Sequence, residues 1–218
     1  MDSLNDIRRR LILMQDGLPP GYRRVEYVVS RSSNARFDTG VAGNDTTLKI
    51  CADFMAMART NYFPVLGNYV DENTRCWRII HSSASYPSTY IASVNSRKAG
   101  SSTSINIGGS SIAGVRVQAT LEYEKATFVA NGQTFTNTLT ASGGTENNSN
   151  IAIGSRSTGY GTATAISHRW FGVKIWKGGS LIRNYIPAVR GSDKKAGFYD
   201  TVNHTFNAST GTQDFQLS

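Results

Sequence analysis

The chain has no long hydrophobic run. No apolar stretch approaches the about 20 residues that a membrane-spanning helix needs, so no helical span is expected. The apolar N-terminal run Leu11-Ile-Leu-Met14 is too short for the core of a secretion signal, and it follows three arginines within a helical pattern. The expectation is a product that stays in the cytoplasm where it is made, or leaves it as part of a particle or on lysis. Cysteine is as scarce. Cys51 and Cys76 are the only two, without a Cys-x-x-Cys, and two cysteines make no disulfide framework. Each lies in an apolar, strand-like run, so buried free thiols are expected. A bridge would require the two strands to be direct neighbours. Histidine is limited to His81, His168 and His204, with no HxH or HExxH spacing, so no metal site is expected. Glycine pairs at Ile107-Gly-Gly-Ser110 and Ser142-Gly-Gly-Thr145 lack the following Lys-Ser/Thr and a helix to supply a dipole, which excludes phosphate loops. No nucleophilic constellation and no cofactor motif is present.

Charge is sparse too, at 17% of residues, yet the balance is basic: net charge +8 over 218 residues. Such a bias fits nucleic acid, an anionic membrane or an anionic glycan. Apart from Arg8-Arg9-Arg10 and Lys194-Lys195 the cations are scattered, which reads as a solvated surface with a basic bias. No RNA-binding motif or zinc-finger spacing appears, so no nucleic-acid partner is expected.

What the chain does have is period-two patterning punctuated by turns. Leu48–Met57, Phe63–Gly67, Arg75–His81, Thr89–Val94, Val115–Tyr123, Ile151–Gly154, Arg169–Trp176 and Leu181–Ile186 read as strands. Asn131-Gly132 stands between Lys125–Ala130 and Gln133–Asn137, the strongest short hairpin signal. Many short strands at regular turn spacing predict one large sandwich. The Gly- and Ser-rich stretches 95–114, 141–150 and 155–165 read as loops, the first place to look for a binding site. Trp77, Trp170 and Trp176 alternate with polar neighbours inside strands and read as core.

Residues 1–17 differ. Ser3 caps a helix with Asp6 three residues on, and Leu4, Ile7, Leu11 and Met14 form an a/d-type seam. Gly17 and Pro19-Pro20 end it. Two heptads are too few for a stable isolated coil. The expected domain plan is an N-terminal helix over 1–17 for oligomerisation or docking, its seam read as that of a homotrimer, and a sandwich over 18–218.

Two motifs bracket the sandwich. One is Leu18-Pro-Pro-Gly-Tyr-Arg-Arg-Val-Glu-Tyr-Val-Val-Ser30, leading into Ala35-Arg-Phe-Asp-Thr-Gly-Val41. The other is Phe171-Gly-Val-Lys-Ile-Trp-Lys-Gly-Gly-Ser-Leu-Ile-Arg-Asn-Tyr-Ile-Pro-Ala188 with Ala196-Gly-Phe-Tyr-Asp-Thr-Val-Asn-His-Thr-Phe206. Together they resemble LamG-like, concanavalin A-like jelly-roll modules of gut bacteria and their phages. Arg31-Ser-Ser-Asn-Ala-Arg-Phe37 departs from that family's usual lead-in. The stretch Ile7-Arg-Arg-Arg-Leu-Ile12 followed by such a module is similar to short prophage and phage structural proteins of gut Bacteroidales. The resemblance implies an all-β, concanavalin A-like jelly-roll sandwich behind a short N-terminal α-helix.

Family glucanases carry a run of three carboxylates. Glu122 and Glu124 are an i, i+2 pair that could face one way on a strand, but Ala126 and Thr127 stand where a third acid belongs. No catalytic residue is expected. A LamG-type calcium ion would draw on Asp45 or Asp71 at loop tips, where Asx-turns are the simpler reading. Sugar binding needs an aromatic platform ringed by planar polar groups. The candidates are Tyr62, Tyr69, Asn73, Arg75, Arg78, Tyr86, Tyr90 and Tyr160. The resulting expectation is a non-enzymatic phage or prophage virion component, a fibre, decoration or adhesion protein. It would assemble with itself and other virion proteins and bind host cell-surface polysaccharide. A bacterial lectin-like module at the cell surface is the alternative, and a glycoside hydrolase ranks last.

Overall fold

The computed structural model describes residues 17–31, 35–57, 64–71, 73–81, 88–97, 102–109, 111–139, 145–155 and 167–217. They contain strands and turns only. In chain order the strands are β1 Tyr22–Arg24, β2 Val28–Ser30, β3 Phe37–Ala42, β4 Leu48–Ala56, β5 Pro64–Gly67, β6 Arg75–His81, β7 Thr89–Arg97 and β8 Ser102–Asn106. There follow β9 Arg116–Glu122, β10 Lys125–Ala130, β11 Gln133–Thr138, β12 Asn150–Ile153, β13 His168–Lys177, β14 Ser180–Arg190, β15 Ala196–Asp200 and β16 Thr205–Asn207. The helix expected over 1–17 and its Leu4, Ile7, Leu11 and Met14 lie outside the described residues, except for Gly17.

Two antiparallel sheets pack as a jelly-roll sandwich. One runs β11-β10-β9-β4-β13-β14-β15-β16, with β1 added to β14 and β2 to β13; the other runs β3-β12-β5-β6-β7-β8. Alternation decides which side chains meet between them. In β4, Leu48, Ile50, Ala52, Phe54 and Ala56 are buried and the residues between are partly exposed. Val117, Ala119 and Leu121 of β9 and Ala126, Phe128 and Ala130 of β10 repeat the pattern. Phe54 stands at the centre, with Tyr90 at 5.7 Å and Trp170 at 5.7 Å between ring centroids. A second ring cluster joins Phe37, Tyr185, Phe198 and Phe215.

The turns follow from local chemistry. Asn131 and Gly132 have φ of 51° and 73°, the left-handed pair of a two-residue hairpin. Gly178 and Gly179 do the same for β13–β14 at 55° and 81°. Asp200, 1% exposed, closes the last hairpin by accepting from the Asn184 and Val202 amides at 3.0 Å and from Asn203 Nδ2 at 2.7 Å.

The two bracketing motifs meet in space. Tyr22 pairs with Arg190 across β1–β14, and its ring lies 4.8 Å from Tyr199 and 5.5 Å from Phe206. Leu18, Ala188 and Tyr199 are buried with them in a small satellite cluster. The stretch 95–114, read as a loop, holds the end of β7 and all of β8. Its Ser-Thr-Ser composition hides a polar edge strand whose inward residue is Ile105.

Candidate functional site

The outer face of the larger sheet carries the candidate site. Where the even-numbered residues of β4 point inward, Lys49, Cys51 and Asp53 point outward. The register then lays polar side chains in rows across neighbouring strands. Gln118, Asp53 and Gly172 form one row. Thr120, Cys51, Lys174 and Asn184 form the next, and Glu122, Lys49 and Trp176 the one after. A groove of about 530 Å³ follows the first two rows, lined among others by Arg24, Cys51, Asp53, Gln118, Phe171, Lys174 and Asn184. A second hollow of about 560 Å³ adjoins it on the third row, lined by Thr46, Thr47, Lys49, Glu122, Tyr123 and Trp176.

A β-bulge shapes this face. In β13, Trp170 pairs with Phe54 and Gly172 with Asp53, so Phe171 is the extra residue. The bulge sends Phe171 to the outer face beside Gly172, where a Cβ would meet the Tyr185 carbonyl at 3.2 Å. It also reverses the phase of the strand. Trp170 and Trp176 are six residues apart and would share a face in a regular strand. Instead Trp170 is fully buried, its Nε1 donating to Ser30 Oγ at 3.0 Å. Trp176 stands partly exposed on the outer side, with Lys49 Nζ 5.7 Å from its ring centre. The reading of Trp77 and Trp170 as core matches the structure; Trp176 is a correction.

The charges divide into two kinds. Asp53 accepts from Arg116 Nε at 2.8 Å and Nη2 at 2.9 Å, and from Gln118 Nε2 at 3.3 Å. The same Arg116 lies 3.8 Å over the Phe171 ring, and Arg169 lies 4.7 Å over Tyr27, which meets Phe171 edge-on at 5.7 Å. Glu122 holds Lys49 at 2.6 Å, and that hydrogen bond raises the Lys49 pKa against the opposing effect of burial. Lys174 and Arg24, by contrast, are exposed and have no ion-pair partner among the described residues.

The residues picked from sequence are elsewhere. Tyr62, Tyr86 and Tyr160 lie outside the described residues. Tyr90 is a correction: on β7 it points into the core with Ala92 and Val94, is 0% exposed, and burial drives its phenol pKa far up. Tyr69 and Arg78 are corrections as well. They are 5% and 4% exposed, with the guanidinium 5.4 Å from the ring centre and Arg78 Nε donating to Ser93 Oγ at 2.9 Å. Asn73 and Arg75 sit at the β5–β6 end, backbone-bonded to Thr145 and away from both hollows. The structure therefore does not bring the described members of that set together as one open surface.

Glu122 and Glu124 do not pair either. Glu124 is in the β9–β10 turn at φ 59°, so the i, i+2 rule for strands does not apply to it. Asp45 accepts from the Thr47 amide at 2.7 Å and the Thr47 hydroxyl at 2.6 Å, and from Lys177 at 2.9 Å, which lowers its pKa to about 2. Asp71 accepts from the amides of Asn73 and Thr74 and from the Thr74 hydroxyl. Both are closed Asx-turns. Cys51 and Cys76 are free thiols on different sheets. Cys76 is buried, as expected. Cys51 is a correction: it faces the groove floor, 3.2 Å from Thr120 Oγ1.

No protein-family model matches the chain, and no curated protein matches it. Solved structures similar to it include the binding domain of botulinum neurotoxin DC in complex with SialylT, at 12% identity and TM-score 0.40, over 59% of this chain and 31% of that one. Domains LG4-5 of the mouse laminin alpha1 chain give 11% and 0.40, over 71% and 39%. Alginate lyase A1-II′ gives 11% and 0.36, over 64% and 66%. The chain spans about a third of the toxin and laminin structures. Likeness of this degree carries no conclusion about function, and the sandwich assignment rests on the two sheets themselves.

Proposed function

We propose that this protein is a non-enzymatic carbohydrate-binding sandwich whose ligand lies on the outer face of the larger sheet. The observation that carries the reading is the arrangement on β13 and its neighbours. Phe171 and Trp176 are partly exposed at the two ends of rows of hydrogen-bonding side chains: Gln118, Thr120, Lys174 and Asn184. Sugar rings offer C–H faces to aromatic rings and hydroxyl edges to such groups. All of these side chains stand on strands, which hold a site more rigidly than loops do. The carboxylates of the face support binding over hydrolysis. A retaining pair needs two carboxyls about 5 Å apart and available to substrate, whereas Asp53 is held by Arg116 and Glu122 by Lys49. A glycan array with the wild type and a Phe171→Ala/Trp176→Ala double variant tests this. Saccharide binding lost in the double variant is expected; a folded wild type that retains no glycan overturns the reading.

The finer proposal is a phage or prophage virion component, made in the host cytoplasm, that displays this sandwich to host-surface polysaccharide. It is supported by the two bracketing motifs and the short basic helix pattern that precedes them. In this reading residues 1–17 attach or trimerise the protein through Leu4, Ile7, Leu11 and Met14. Light scattering of the full chain and of a chain starting at Leu18 tests the helix: a trimer reduced to a monomer is expected. Equal masses for the two remove self-association from the proposal.

A further inference from the structure

The outer face of the larger sheet carries a residual positive charge. This inference rests on the carbohydrate-binding reading above and names the class of sugar. Among the residues lining the two hollows the carboxylates are Asp53 and Glu122. Each is already matched to a cation, Arg116 for the first and Lys49 for the second, at 2.8 and 2.6 Å. Glu26, which acts electrostatically on Arg116, lines neither hollow. Lys174 and Arg24 both line the groove, are exposed, and have no acid of their own among the described residues. An uncompensated cation beside an aromatic shelf favours a ligand that carries its own negative charge.

Lys174 occupies a defined place. It lies on β13 between Gly172 and Trp176 on the same face, flanked by Cys51 on one neighbouring strand and Asn184 on the other. Gly172 leaves the groove floor open on one side of it and Trp176 offers a ring on the other. From Phe171 to Trp176 the strand advances roughly 16 Å at about 3.3 Å per residue. That length takes an oligosaccharide and exceeds a single sugar.

We infer that the ligand is an acidic oligosaccharide laid along β13 from Phe171 to Trp176, with Lys174 bound to a carboxylate or sulfate on a central sugar. One N–H of Asn184 Nδ2 is engaged with Thr201 Oγ1 at 2.6 Å, whereas the exposed ammonium of Lys174 has no ion-pair partner among the described residues and carries the only full positive charge in that row.

The test is titration calorimetry of the full chain against four probes: oligogalacturonates of increasing length, the same oligomers with their carboxyls reduced, a sulfated galactan, and its desulfated form. The proteins are wild type, Lys174→Ala and Lys174→Arg. Binding to one acid form is expected, strengthening with length beyond the dimer and weakening with added salt. Removal of the acid group or Lys174→Ala will each weaken it about tenfold, the scale of one charge-assisted hydrogen bond. The two changes together will cost little more than either alone, and Lys174→Arg will retain most of the affinity. Which acid form binds identifies carboxylate or sulfate. If the neutral oligomers bind as well as the acidic ones, or Lys174→Ala has no effect, the acidic-ligand inference fails while the carbohydrate reading stands. If no glycan binds, here or on the array, both fail.

Discussion

Replacing each of two tryptophans on one strand separates core from platform. Trp170→Ala deletes a fully buried indole packed against Phe54 and His168, and leaves Ser30 Oγ without its donor. Large-to-small changes of this kind cost about 3–5 kcal/mol, and the lost buried hydrogen bond adds about 1 kcal/mol. Trp176→Ala opens no closed cavity, because water reaches the site. It loses the covered part of one ring face and a cation–π contact worth about 0.5–1 kcal/mol, for a total of about 1–3 kcal/mol. At this chain length each kcal/mol shifts Tm by roughly 2–4 °C. Trp170→Ala will therefore lower Tm by roughly 10–20 °C and Trp176→Ala by less than half as much. The binding effects run the other way: Trp176→Ala will weaken saccharide binding at least about tenfold, or about 1.4 kcal/mol. Scanning calorimetry and glycan titration on both variants give the four numbers. Equal losses of stability would refute the claim that the bulge at Phe171 turns these two side chains to opposite sides, and unaltered saccharide binding in Trp176→Ala would remove Trp176 from the proposed platform.

Two further outcomes follow from buried groups. Burial, aided by the neighbouring imidazole of His81, lowers the His168 pKa to about 3 from 6.5. The unfolded chain takes up this proton first, so the contribution is complete above about pH 6.5 and falls as the pH drops toward 3. A single group gives a slope of at most about 1.4 kcal/mol per pH unit. Urea titrations across that window will show a shallower decline in His168→Gln; an unchanged slope counts against a neutral buried imidazole. For the thiols, Cys51 at the groove floor will alkylate in the native protein. Cys76 is fully buried with its pKa raised to about 11 by desolvation, and will alkylate only after unfolding. Mass spectrometry of native and denatured samples checks this, and modification of both at equal rates is the contrary result.

Much of the sandwich was legible because burial imposes period two. Arg75–His81 and Lys125–Ala130 have the expected bounds, and Asn131-Gly132 turns as that dipeptide must. β8 escaped because an edge strand of serine and threonine carries almost no apolar alternation. The candidate site escaped for a different reason. Tyrosines near turn residues look exposed in sequence, although Tyr90, Ala92 and Val94 form the inward set of their strand. Trp176 reads as core only when period two is carried through the bulge. A glycine inside a strand is a bulge signal, and Gly172 directly after Phe171 was that signal. Its effect is to invert every residue beyond it, which exchanges Ile175 for Trp176 as the outward side chain. Side-chain pairings across strands, such as Arg116 with Asp53, depend on register between distant segments and have no local signature.

The pairing of the first strands with the last governs how the chain can be made. β1 joins β14, β2 joins β13, and Val29 bridges to Gln216, while Phe215 completes the ring cluster around Phe37. During synthesis the opening strands leave the ribosome with no partner until nearly the whole chain has followed. β4 likewise waits for β13 on one side. Long-range closure of this kind is slow and leaves strand edges open in the meantime. The nascent protein must hold β1 to β3 unpaired until β12, β13 and β14 have followed, and Phe215 and Gln216 then tie β2, β15 and the Phe37 cluster together.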